Sequence, residues 1–178
     1  MTRLVVCAAM GGARLLELRL SRRNLAAAGP TSEGDWTRRT YPLMVALHAA
    51  VIVGTALKGR RKASPFWLAV LLAVQPLRLW VLTALGERWN VRAAVPQAMP
   101  VETRGPYAYV RHPNYGVVTA ELAALPLAFG LWPLALGATA VNAALLALRI
   151  PEEEALLAEV PGWQEHFADK ARFIPGVM

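Results

Sequence analysis

The chain has 178 residues, of which 56% are hydrophobic and 17% charged, and its formal net charge is +7. Its mean hydropathy is +0.36 and its pI about 10.3. A soluble domain carries roughly 25% charged residues, so this balance excludes an ordinary soluble fold, and basic residues set between apolar runs suit anionic lipid headgroups rather than nucleic acid.

In chain order, Leu4 to Leu20 reads as a first membrane helix. Arg14, Glu17 and Arg19 interrupt it, which argues against the apolar core of a signal peptide. Arg14 and Glu17 are three residues apart and share a face. Such a pair should face protein or a water-filled cavity, as a structural or a functional pair. Ser21 to Thr40 reads as a polar loop at the headgroups, with Arg22, Arg23, Arg38 and Arg39. Tyr41 to Leu57 is the second helix, at the short end of the roughly 17–25 residues that span a bilayer. His48 lies in its middle, either as a hydrogen-bonded packing residue or as part of a substrate pocket. Lys58 to Lys62 is a basic turn suited to headgroup contact.

Pro65 to Leu85 is the third helix, and Pro76 predicts a kink in it. Gln75 and Arg78 share a face, and a buried Arg78 needs an anion, with Glu17 and Glu121 as candidates. Trp67 and Trp80 suit the interfaces or simple packing. Gly86 to Arg111 is a polar segment expected to lie over the membrane face. It holds a short extended piece at Val91 to Val95, and Trp89 is expected to anchor it at the headgroups.

Gly105-Pro106 is a turn signal. Pro113 fits the first position of a helix, where its missing N–H costs nothing. Arg111, His112, Asn114 and Tyr115 then cluster at a helix N-terminus, whose free donors and partial positive charge suit a carboxylate or a phosphate. The alternative is a plain helix start beside the membrane surface, with Arg111 snorkelling. Asn114 to Gly130 and Leu131 to Ile150 form a helical hairpin that turns around Phe129 to Pro133. Glu121 lies seven residues from Asn114 and faces the same way. Asn142, Arg149 and Glu153 make one polar stripe unless Pro151 bends it apart. Intramembrane polar residues are costly, so the stripe is a candidate site, with interhelical hydrogen bonding as the alternative. Glu152, Glu153 and Glu154 fall in the first turn of a further predicted helix, where the dipole favours acids. Trp163, Phe167, Phe173 and Ile174 give the tail enough apolar surface to dock on the membrane face.

The hairpin returns the chain to the side of the first loop. That side holds Arg22, Arg23, Arg38, Arg39, Arg88, Arg92, Arg104, Arg111, Arg149, Lys170 and Arg172. The opposite side holds Arg3, Lys58, Arg60, Arg61 and Lys62. The excess places the first side in the cytoplasm. Cys7 is the only cysteine and the three histidines are far apart, so no disulfide and no metal site are expected.

Three stretches carry a resemblance. Gly105-Pro-Tyr-Ala-Tyr-Val-Arg-His-Pro-Asn-Tyr115, Arg149-Ile-Pro-Glu-Glu-Glu-Ala-Leu-Leu157 and Arg172-Phe-Ile-Pro175, in that order, resemble the isoprenylcysteine carboxyl methyltransferase family. The resemblance covers about Leu85 to the end. It implies an all-α integral membrane enzyme using S-adenosylmethionine, with about five transmembrane helices, a C-terminal hairpin and a cytoplasmic segment over the cofactor. Residues 1–84 would be N-terminal transmembrane helices and 85–178 the catalytic, cofactor-binding half of one domain. By this resemblance Gly105, Tyr107, Val110, Arg111, His112, Pro113, Tyr115, Glu153 and Glu154 line the cofactor pocket. His112 and the helix terminus would take the donor's carboxylate, and Glu153 or Glu154 its ribose or ammonium. Arg149 would hold the acceptor oxygen, with Glu153 and Glu121 completing the catalytic group. Arg14 to Leu18, Ser21 to Asn24 and Tyr41 to His48 further resemble a bacterial branch that methylates long-chain polyketide pyrones. The chain departs from the family at Gly116, where His-Pro-x-Tyr is commonly followed by Leu-Gly, at Ala108, where a basic residue is common, and at Pro151.

Methyl transfer from a sulfonium is an in-line displacement that needs positioning and exclusion of water, with no metal or covalent nucleophile. The acceptor expected is a lipophilic or lipidated molecule entering from the bilayer, a prenylcysteine carboxylate or a long-chain pyrone or phenol, at a bacterial plasma membrane. Rival readings are an NADPH-dependent sterol-type reductase, which shares the Arg111 to Tyr115 string, a phospholipid N-methyltransferase, and a non-enzymatic scaffold. The acidic run from Glu152 to Glu165 favours a cationic cofactor over a dinucleotide phosphate.

Overall fold

The computed structural model describes residues 1–60, 62–96 and 99–176. The protein is mostly helical. Helix α1 covers Thr2–Ala27, α2 Asp35–Lys58, α3 Pro65–Leu85, α4 Pro113–Ala128, α5 Trp132–Ala158 and α6 Trp163–Phe167. Strands β1 (Thr31–Ser32) and β2 (Val95–Pro96) pair antiparallel, Thr31 opposite Pro96 and Ser32 opposite Val95. Three helical segments, Asp35–Lys58, Pro65–Arg88 and Trp132–Ala158, are long and apolar enough to cross a membrane.

The burial pattern is inverted relative to a soluble protein. Leu15, Leu16, Leu72, Leu79 and Leu136 are exposed, whereas Glu17, Arg78, Glu121, Asn142 and Arg149 are buried. A hydrocarbon solvent produces this arrangement, because lipid accepts the leucines and polar groups must find partners inside. Around Phe129, Leu122, Leu125, Leu71, Val51 and Cys7 the bundle has a conventional apolar core.

The expected third helix is found as read, and Pro113 opens α4 at its first position. Other boundaries move for tertiary reasons. Helix α1 runs on through Ser21–Ala27, read from sequence as loop. Ser21 and Asn24 are buried there. Ser21 Oγ accepts Val91 N–H at 3.1 Å, and Asn24 Nδ2 donates to Trp89 O at 2.7 Å and to Gly86 O at 3.0 Å. These polar residues therefore extend the helix by holding the next polar segment. Trp89, expected at the headgroups, is instead 2% exposed and packs with Val81, Tyr107, Trp163 and Phe167. Of the tail residues, Trp163 and Phe167 are buried, but Phe173 and Ile174 remain exposed. In the basic turn Lys58, Arg60 and Lys62 are exposed; Arg61 lies outside the described residues.

The largest correction concerns Glu152, Glu153 and Glu154. They do not open a new helix; α5 continues through Pro151 and carries them in its last two turns. The dipole there disfavours acids, so each carboxylate is held by a specific partner. Successive helical residues point about 100° apart. Glu152 turns to the start of α2, where its Oε1 and Oε2 accept Trp36 N–H at 3.1 Å and Thr37 N–H at 3.0 Å. This is an N-cap supplied by another helix. Glu152→Ala should cost about 1 kcal/mol, the usual value of a cap, read as a lower midpoint of thermal unfolding in detergent. An unchanged midpoint would show the cap to be idle.

Candidate active site

Two cavities meet in the half of the bundle that carries the polar segment. The first, of about 160 Å³, lies beside residues 85–96 and 99–102 and is lined by Glu102, Tyr107, Arg111, His112, Glu153 and Trp163 among others. The second, of about 360 Å³, lies between α1 and α2 and is mostly aliphatic, with Leu15, Met44, Val45, Ile52, Val53 and Val118. Trp89, Val91, Asn114, Tyr115 and Arg149 line both, so they form the wall between the two spaces.

The wall is organised around Tyr115, in the first turn of α4. Its hydroxyl donates to Glu153 Oε2 and accepts from Arg149 Nε at 3.0 Å. Arg149 Nη2 donates to Val91 O at 2.9 Å, and Nη1 lies 3.3 Å from the Met44 sulfur. Arg149 is 1% exposed. Three helices and the polar segment thus converge on one guanidinium. Glu153 and Arg149 are four residues apart on α5 and meet at one hydroxyl, so Pro151 does not separate them. Asn142, the third member of the expected stripe, instead donates to Thr119 Oγ1 at 3.0 Å and lies outside both linings.

Glu154 serves the scaffold of the first cavity. Its Oε1 lies 3.1 Å from His112 Nε2 and 3.5 Å from Arg111, and its Oε2 accepts from Arg172 Nη2 at 2.7 Å. His112 N–H also donates to Arg172 O at 2.8 Å. The motif around His112 is therefore clamped to the C-terminal segment. Of the residues read from sequence, Tyr107, Arg111, His112, Tyr115, Arg149 and Glu153 line the first cavity, whereas Gly105, Val110, Pro113, Glu154 and Glu121 are not among the residues lining either. Gly105 adopts φ +63°, and a Cβ there would sit 3.0 Å from Trp80 Nε1 and from Ala84 Cβ. That left-handed, crowded corner admits glycine and little else.

Glu121 belongs to a buried ion cluster. Arg78 makes a bidentate pair with Glu17, Nε to Oε1 at 2.8 Å and Nη2 to Oε2 at 2.5 Å. Its Nη1 lies 3.4 Å from Glu121 Oε2 and 3.4 Å from Asn114 Oδ1. Arg14 adds contacts to Glu17 at 3.0 Å and Glu121 at 3.5 Å, and Gln75 Nε2 donates to Glu121 Oε1 at 3.0 Å. Both anions read as candidate partners of Arg78 are used.

Sequence reading missed Glu102 and Met44, and misplaced Trp89. Glu102 is a lone acid in an irregular segment, with no periodicity to mark it. Its carboxylate accepts from Arg104 N–H and Nε at 3.0 and 2.9 Å and from Arg88 at 3.3 Å. The hydrogen bonds from Arg104 hold its carboxyl below the usual carboxylate range, so it stays ionised beside Arg104 and Arg88. Burial pushes the Tyr107 phenol well above its ordinary value, so it stays neutral.

The first cavity has a mixed charged and aromatic lining. It offers carboxylates at Glu102 and Glu153, cations at Arg88 and Arg111, and aromatic faces at Tyr107, Trp163 and Phe167. Arg111 Nε and Trp89 Nε1 are buried donors without a partner among the described residues. A bound polar molecule would satisfy such groups, which are otherwise costly to bury.

Fold and site together define an α-helical integral membrane protein with a polar and an apolar cavity joined at one wall. Residues 67–159 match the sequence profile of the Isoprenylcysteine carboxyl methyltransferase (ICMT) family, and the chain belongs to that family. Membership implies methyltransferase activity in general. The chain is also similar to the uncharacterized protein YpbQ of Bacillus subtilis (strain 168), at 30% identity over 152 residues, covering 82% of this chain and 90% of that protein.

Proposed function

We propose that this protein is an S-adenosylmethionine-dependent O-methyltransferase acting on a lipophilic acceptor, a prenylcysteine carboxylate or a long-chain pyrone or phenol. The observation that carries the reading is the wall shared by the two cavities, which lets a polar donor and an apolar acceptor meet at Arg149, Tyr115 and Asn114. When bound, S-adenosylmethionine supplies a methyl group already activated on a sulfonium. The rest of the work is positioning by this chain. Arg111 and His112 take a carboxylate, and Glu153 with Glu102 takes ammonium or hydroxyl groups. Gly105, Val110, Pro113 and Glu154 hold that motif in shape.

Arg149 holds the acceptor oxygen. Its Nη1 faces only the Met44 sulfur, a weak acceptor that an anionic oxygen displaces readily. Tyr115 keeps the guanidinium aimed by bridging it to Glu153. Glu121 acts as a positioning residue, through Arg78 to Asn114 in the wall. The aliphatic lining excludes water from the acceptor side.

In this reading α1 to α5 all span, residues 1–84 build most of the acceptor cavity, and residues 85–178 build the cofactor side. The polar segment faces the cytoplasm of a bacterial plasma membrane. Leu15, Val45 and Val53 line the acceptor cavity and are also exposed on the outer face of the bundle, so an amphiphile enters sideways from the bilayer between α1 and α2. The test is calorimetry on detergent-purified protein with S-adenosylmethionine and with NADPH. Binding of the first alone, followed by transfer of labelled methyl to an alkylpyrone or a prenylcysteine analogue, is expected. Binding of NADPH alone would replace this reading with a reductase, and binding of neither with a scaffold.

A further inference from the structure

The apolar cavity contains polar groups that methyl transfer at Arg149 does not use. His48 lies midway along α2 and lines this cavity. Its Nδ1 lies 2.7 Å from Met44 O. A carbonyl oxygen only accepts, so Nδ1 carries the proton and a neutral ring leaves its lone pair on Nε2. Among the described residues Nε2 makes no hydrogen bond. Arg14 lines the same cavity from α1. Its Nη2 is 3.0 Å from Glu17 but off hydrogen-bond geometry, and its Nε has no partner. The cavity thus presents one unused acceptor, His48 Nε2, within a largely aliphatic lining, whereas these Arg14 nitrogens are buried beside Glu17 and Glu121.

The place of His48 is set by α2. Met44 reaches Arg149 Nη1 at the shared wall. His48 follows one helical turn later, about 6 Å further along the axis. We propose that His48 reads a second polar group on the acceptor's head, a free hydroxyl about one ring-width from the oxygen that is methylated. This rests on the assignment of the cavity to the acceptor. A hydroxyl gives its proton to His48 Nε2. A carboxylate has no proton for Nε2, and a bare hydrocarbon leaves it unsatisfied.

The test compares two amphiphiles with the same tail, pentadecylresorcinol with two hydroxyls and pentadecylphenol with one. Calorimetry measures their binding to the full chain in detergent, for the native protein, His48→Phe and His48→Gln. S-adenosylmethionine binding on each variant reports that the fold is kept. The diol should bind about tenfold tighter than the phenol, the usual scale of one satisfied hydrogen bond. His48→Phe should abolish that preference, and His48→Gln, whose amide oxygen still accepts, should keep part of it. Equal affinities in the native protein, a preference that survives His48→Phe, or binding of neither amphiphile overturns the proposal. So does tighter binding of N-acetylfarnesylcysteine, whose donor is an amide N–H. A preference without methyl transfer counts against the transferase reading alone, and methyl transfer without a preference counts against the hydroxyl alone.

Discussion

Arg149→Ala should lower methyl transfer by about 10²–10³-fold while S-adenosylmethionine still binds. That factor is typical for losing one preorganised donor aimed at a reacting oxygen in a water-excluded site. The split between turnover and donor binding follows from position. Arg149 lies in the wall and reaches Tyr115, Met44 and Val91, whereas Arg111, His112 and Glu102 sit on the cofactor side only. The substitution also leaves Val91 O without its Arg149 donor and Tyr115 with Glu153 as its one remaining partner, so some loss of stability accompanies it. Arg149→Lys separates the effects. It keeps the charge but not the three-way fork, so it should fold better than the alanine variant and still turn over slowly. Single-turnover rates and donor titrations on both variants are the measurements. Equal turnover in native and alanine proteins would remove Arg149 from the mechanism.

Arg78→Leu should be the most destabilising single change, costing about 3–5 kcal/mol, the range for removing one partner of a buried ion pair. Two carboxylates, Glu17 and Glu121, would remain buried with only Arg14 to neutralise them. Asn114 would also lose its tie to α3. Adding Glu17→Leu should restore part of the loss, because the remaining Arg14 and Glu121 balance in charge. A double-mutant cycle on unfolding in detergent measures this coupling. Independent, additive effects would show that the cluster does not act as a unit.

The motif from Gly105 to Tyr115 was legible because its chemistry is local. A glycine-proline turn, a proline at a helix start and polar residues at that start lie adjacent in sequence, and the structure keeps them together. The pairing of Arg78 with Glu17 and Glu121 was legible for a different reason. Charges within apolar runs are few, and each must find an opposite one. Glu102 and Met44 carried no such signal, since an acid in an irregular segment and a methionine in a membrane helix are common. Trp89 carried a misleading one, because tryptophan is often interfacial and its burial depends on Asn24 and α6.

The sequence by itself determined the solvent, the mostly helical class, the family motif and the list of polar residues that had to be paired. Apolar length and charge scarcity suffice for that, because hydrocarbon penalises every unpaired polar group. Only the tertiary structure decided where the three adjacent glutamates go. Their backbone is one continuous helix, so rotation by about 100° per residue sends Glu152 to α2, Glu153 to Tyr115 and Glu154 to His112. Which of them faces a cavity depends on which helix lies on each side, and helix packing is a long-range outcome that local pattern does not encode.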